Sequence, residues 1–156
     1  SGMLHAYLHG VGVEIMANSD NVLRGGLTSK HIDVPELMHV VQFDALLDPI
    51  APAENVVLSS HGIVPAEGIE TVEYFIPVPE FRLSRSHLAP CRESHLGIEG
   101  PFIVLVTEGT VTLTSRECPE GLSVSAGHAA WVGAWEDRPT IATGENSATV
   151  FIARVP

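Results

Sequence analysis

Apolar and polar residues alternate in short runs punctuated by Gly and Pro along most of this chain, the pattern of half-buried strands rather than of helices. Four stretches carry it best: residues 71–83 (TVEYFIPVPEFRL), 101–115 (PFIVLVTEGTVTLTS), 122–135 (LSVSAGHAAWVGAW) and 147–155 (SATVFIARV). Within the second, Glu108-Gly109 parts two β-rich runs and predicts a tight hairpin turn. Strands of this length at this spacing predict a mainly β fold, a small antiparallel barrel or jelly roll.

One helix interrupts the pattern. Asp33 is placed to cap it, Pro35 falls in its first turn, and Glu36 stands three residues after the cap. Leu37, Val40 and Val41 then share one face. Beyond it, residues 43–56 (FDALLDPIAPAENV) are too broken by proline for a long element and read as a linker. The chain thus divides into a β-rich opening over 4–32, a helix and linker over 33–70, and a β-domain over 71–156.

The opening holds most of the candidate chemistry. Strands over 4–9 and 11–17 would place His5, Tyr7 and His9 on one face and Val11, Val13, Ile15 and Ala17 on an apolar one. A two-residue turn at His9-Gly10 sets His5 directly across from Glu14, which is how a polar pocket wall is made. A plain surface hairpin shows the same alternation. Next, Ser19, Asp20 and Asn21 are turn formers, and Gly25-Gly26 lets the backbone bend sharply beside Arg24.

Composition narrows the partners. The formal charge is −11, with 19 acidic residues against 8 Lys and Arg, and Lys30 is the one lysine. Nucleic acid and anionic membranes need clustered cations, so neither is expected as a partner. No apolar stretch reaches the length of a membrane span, and Ser1-Gly2-Met3 reads as an expression scar rather than a leader. Cys91 and Cys118 have no close-spaced partner and read as ordinary thiols of a cytoplasmic protein.

The segment HAYL followed by VEIMANSDNVLRGGLTSKHIDVPEL resembles the active-site segment of type I mannose-6-phosphate isomerases, zinc-dependent enzymes of the cupin fold. EFRLSR, GPFIVLVTEGTVTLTS and ATVFIARV are similar, more loosely, to the C-terminal cupin barrel of that family. The resemblance implies the last strands of an incomplete catalytic barrel, one short helix, and a C-terminal cupin-like jelly roll. It implies that His5 matches a zinc ligand and that Arg24 sits at the reacting carbons. Glu14 matches a glutamate lining the site, as a proton shuttle or as a partner orienting His5. Lys30 matches the lysine that closes the loop and is a candidate for the sugar phosphate. Ser29 stands where the family more usually has proline.

Aldose–ketose isomerisation needs a base to carry a proton between C1 and C2, and positive charge where the enediolate oxygen develops. A zinc site takes three or four protein ligands. In the family resembled, the others are a glutamine, a histidine and a glutamate from earlier strands, and none has a replacement in this sequence. His31, His39 and His61 lie in or beside the helix and linker, His87 and His95 lack the H-x-H spacing of a strand site, and His128 reads as a turn residue. Trp131 and Trp135 read as core or rim packing rather than as a sugar platform.

Two functions follow as expectations. One is the C-terminal part of a zinc-dependent mannose-6-phosphate isomerase, inactive without its other half, with zinc a cofactor of the complete enzyme rather than of this chain. The other is a metal-free, non-catalytic binding or assembly module. In either case the unpartnered apolar residues of 4–17 predict self-association into a homo-oligomer through that segment, or disorder of it.

Overall fold

The computed structural model describes residues 2–16, 18, 22–43, 53–55 (backbone only) and 62–156. It forms two compact units, residues 1–49 and 50–156. Part of the expected linker, His61, and the turn formers Ser19 to Asn21 lie outside the described residues. Among the described residues no helix is long and apolar enough to cross a membrane.

In the first unit the helix forms as its signals predict. The helix α1 runs Val34–Val40, with Asp33 as N-cap and its Oδ1 accepting the Glu36 N–H at 3.1 Å. A cap of this kind contributes about 1 kcal/mol. At the other end, the Val41 N–H returns to the Leu37 carbonyl at 2.9 Å. Gln42 N–H then donates to Gly2 O at 2.8 Å, tying the two ends of the unit together. No residue of α1 is buried.

The strands expected over 4–9 and 11–17 are not formed among the described residues. Residues 4–16 form no ladder. A two-stranded hairpin is marginal by itself, and the described part of this unit offers no third strand to support one.

The second unit is the β-domain. Its strands are β1 (Ala53–Asn55), β2 (Ile69–Tyr74), β3 (Arg82–Leu88), β4 (Glu93–His95) and β5 (Phe102–Glu108). They continue as β6 (Thr110–Thr114), β7 (Leu122–Ser125), β8 (Ala129–Val132), β9 (Thr140–Thr143) and β10 (Ala148–Arg154). A six-stranded sheet has the order β1-β2-β3-β10-β5-β8, and a four-stranded sheet the order β4-β9-β6-β7. All pairs between these strands are antiparallel.

Alternation makes the core. In β5, Phe102, Val104 and Val106 point inward, and in β10 Ala148, Val150 and Ile152 do the same. Leu113 and Ile141 meet them from the four-stranded sheet. Buried polar side chains are mostly bonded, Arg92 Nε being the buried side-chain atom without a partner among the described residues. Thr71 and Ser86 share a 2.7 Å hydrogen bond, and Thr143 Oγ1 donates to Ala89 O at 2.7 Å.

Glu108-Gly109 corrects one expectation. The two runs it joins do not pair, because β5 lies in one sheet and β6 in the other. The turn is a corner by which the chain changes sheets. Gly109 has φ +73°, and a Cβ there would sit 2.2 Å from Ser147 O and 3.0 Å from Ala148 Cα, both backbone atoms. Gly109→Ala is therefore expected to destabilise this unit by at least about 2 kcal/mol, left-handed strain adding to a forced backbone shift. Urea unfolding followed by tryptophan fluorescence checks this, and an unchanged midpoint would mean that the corner opens freely.

Candidate active site and its relatives

The four residues singled out in the opening all fall in the first unit. His5 is exposed, and its Nδ1 lies 3.3 Å from Met3 O. That contact occupies one ring nitrogen and leaves Nε2 for a ligand. The ring of Tyr7 meets the His5 ring edge-on, with centroids 6.3 Å apart and planes at 79°. The Tyr7 hydroxyl in turn donates to Glu14 Oε1 at 3.1 Å.

His5 and Glu14 are therefore linked through Tyr7, not set directly across from one another. The chain reverses over a longer loop than the two-residue turn expected. Gly10 takes φ +118°, Gly12 follows without a side chain, and residues 8–13 form the loop that Tyr7 and Glu14 close. Tyr7, His9, Val13 and Glu14 line a cavity of about 210 Å³ with the loop backbone. Tyr7 is the site residue that sequence reasoning placed on a face but gave no role. The second glycine of HGVG was the signal that the turn is wide.

The hydrogen bond to Glu14, and the negative charge of Glu14, raise the Tyr7 phenol above its ordinary pKa of 10.0. Ultraviolet titration of the tyrosines should show one phenol ionising above the usual range. Glu14→Gln should bring it back down, since the charge that opposes phenolate formation is then gone. A phenol unmoved by that substitution would mean that the contact does not persist in solution.

Arg24 is half-buried and Lys30 exposed. The Arg24-Gly25 backbone runs beside the start of the chain, for a Cβ at Gly25 would lie 3.1 Å from Leu4 Cδ2. The loop is tight: Gly26 has φ +150°, Leu27 φ +53°, and the Lys30 N–H donates to Thr28 Oγ1 at 3.1 Å. Among the described residues no ion pair joins Arg24 or Lys30 to Glu14.

Nor do three or more His, Cys, Asp or Glu side chains gather as a metal-binding group among the described residues. In the second unit, His87, His95 and His128 are all exposed while the barrel interior is filled by aliphatic side chains. Trp131 and Trp135 correct the core reading, being 59% and 70% exposed. Trp135 does pack at the rim, its ring lying over Gly133 where a Cβ would come within 2.5 Å.

No protein-family model matches the sequence. Mannose-6-phosphate isomerase of Salmonella typhimurium is 37% identical over 140 residues, 90% of this chain and 32% of that protein. Mannose-6-phosphate isomerase of Escherichia coli is 35% identical over 147 residues, 94% of this chain and 34% of that protein. Among solved structures, the Salmonella typhimurium enzyme bound to its substrate fructose 6-phosphate and zinc superimposes with a TM-score of 0.62. That match is 30% identical and covers 87% of this chain and 31% of the other. The chain spans about a third of the length of the curated relatives it matches. On a mainly β, cupin-like fold, it is a homologue of the mannose-6-phosphate isomerases over that third.

Proposed function

We propose that this chain supplies part of the active site of an isomerase that interconverts mannose 6-phosphate and fructose 6-phosphate, and that it does not turn over by itself. The observation that carries this reading is the string His5–Tyr7–Glu14, in a unit whose Arg24-Gly25 loop approaches the Leu4 side chain. An imidazole, a carboxylate and a guanidinium loop on one short segment are the groups that proton transfer through an enediolate calls for.

Zinc is the metal of the solved relative. When bound, zinc polarises a sugar carbonyl as a Lewis acid. This chain offers His5 toward it, but its described residues form no set of three donors. They do not fit a zinc ion unaided. Among the described residues the interior of the second unit is aliphatic, and this unit is read as a scaffold or binding module.

The roles of the other residues follow from their contacts. Glu14 is bonded to Tyr7 rather than to His5, which favours carrying the C1–C2 proton over orienting the imidazole. Tyr7 holds one carboxylate oxygen and leaves the other open to the substrate. Arg24, permanently charged and forked, suits the enediolate oxygens, and Lys30 suits the phosphate. The test is isomerase turnover and zinc content of the chain, alone and then mixed with the complementary two-thirds of a homologue. No turnover alone and rescue on mixing is the expected result. Turnover alone with one equivalent of zinc would end the incomplete-site reading.

The same segment is proposed as a self-association surface. Leu8 is 89% and Val11 98% exposed, beside exposed Leu4 and Met16; Ala17 lies outside the described residues. Sedimentation should show a dimer or larger species, and Val11→Asp should shift it to monomer. A monomer in the unsubstituted chain would remove this proposal.

A further inference from the structure

β5 and β10 are apolar on both of their faces. Residues 102–106 (FIVLV) and 150–153 (VFIA) are unbroken apolar runs. An antiparallel sheet with one wet face alternates apolar-in and polar-out, and an unbroken run belongs to a strand covered on both sides. One side of these strands is the core already described. The other carries Ile103, Leu105, Phe151 and Ala153, and Ile103 is 41% exposed.

Register lays these side chains in rows across the outer face of the large sheet. In the first row Leu83 stands beside Ala153, Ala153 beside Ile103, and Ile103 beside the exposed Trp131. In the second, Val72, Arg85, Phe151, Leu105 and Ala129 follow one another. Tyr74 stacks parallel to Phe151, with ring centroids 6.5 Å apart. In the third row Glu70, His87 and Thr149 lead to Glu108. The register shift in β10 brings that carboxylate to the Thr149 hydroxyl, which donates to Glu108 Oε2 at 2.9 Å. Arg85 is the one charged side chain of the first two rows. Aromatic residues and an arginine, without lysine or carboxylates, are the composition of a protein interface core.

The face is complementary to itself. β10 has β3 on one side and β5 on the other. Two sheets stack about 10 Å apart with their strands roughly aligned. A two-fold axis along β10 then sets β3 of each copy over β5 of the other and keeps the rows aligned. Leu83 meets Ile103 of the second copy, Phe151 meets its own equivalent, and His87 faces Glu108 of the second copy. Arg85, one row away, has the length to reach that same carboxylate. Neither Arg85 nor Glu108 takes part in an ion pair among the described residues. Each copy thus offers the charge that the other lacks, twice over, as an isologous contact requires. Five strands about 4.8 Å apart and three rows about 7 Å apart give a footprint of about 500 Å² per copy. Two copies would bury about 1,000 Å², the lower bound for a specific interface. We propose that the outer face of the large sheet, centred on β3, β10 and β5, pairs with the same face of a second copy. The dimer is weak and reversible, and separate from any association of the opening segment.

The test is sedimentation equilibrium of the full chain carrying Val11→Asp, which removes association through the opening segment, up to the concentrations used for NMR. A monomer–dimer equilibrium that stops at two copies is expected, with the Trp131 indole N–H resonance moving along the same isotherm. Ile103→Asp should weaken the dimer at least about tenfold. Arg85→Glu and Glu108→Arg should each weaken it at least about threefold. The two combined should recover most of that loss, which a folding defect would not do. A monomer at every concentration would overturn the proposal and leave this face to a different protein. Growth beyond two copies, a dimer insensitive to Ile103→Asp, or no recovery in the double variant would overturn it as well.

Discussion

Alanine in place of Phe102 is expected to destabilise the second unit by about 3–5 kcal/mol, the usual cost of emptying a buried phenylalanine site. Phe102 opens β5, is 2% exposed, and stands in register with Val132 on one side and Arg154 on the other. Its neighbours are strand residues held by ladders, so they have little freedom to close on the gap. A small domain holds only about 5–15 kcal/mol in all, and this one change removes a large part of it. Urea unfolding with the tryptophans as probes measures the shift. A loss below about 1 kcal/mol would mean that this end of the barrel collapses onto the space.

Arg24→Ala is expected to lower turnover of the reconstituted enzyme by about 10²–10³-fold, the range seen when a donor to a developing oxyanion is removed. The loss should fall on kcat rather than KM, because the interaction is made in the transition state. Arg24→Lys should recover only part of it, since an ammonium lacks the planar fork. Lys30→Ala should instead raise KM for the sugar phosphate. If Arg24→Ala moves KM and leaves kcat alone, the arginine binds the phosphate and the assignment of the two cations is reversed.

Local signals were readable where local physics decides the outcome. Asp33, Pro35 and Glu36 announced α1, and the structure forms it with Asp33 as cap. Alternation in 101–115 and 147–155 announced β5, β6 and β10, whose inward residues are the apolar ones. The stretch 71–83 was legible as strand but not its break, where Pro77 and Pro79 separate β2 from β3. β4 and β9 are three and four residues long, too short for a period to declare itself. Glu108-Gly109 has the chemistry of a hairpin turn, and nothing local says that the strands on its two sides join different sheets. In the opening, residue types and neighbours in sequence were legible. The register was not, because a loop with two glycines let Tyr7, not His5, meet Glu14.

The position of β10 sets a clock on the making of this protein. It is the last strand in the chain, yet it lies between β3 and β5, in register with Arg82–Leu88 on one side and Phe102–Glu108 on the other. Until residues 148–154 leave the ribosome, β3 and β5 have no neighbour on those edges, and the large sheet remains two separate pieces. Folding of this unit is therefore slow for its size, since its central pairing closes over sixty residues of intervening chain (Arg85 with Phe151). Nascent chains are exposed to edge-to-edge association throughout that interval. A chain that ends before Ala148 loses the middle of its sheet, not a dispensable tail.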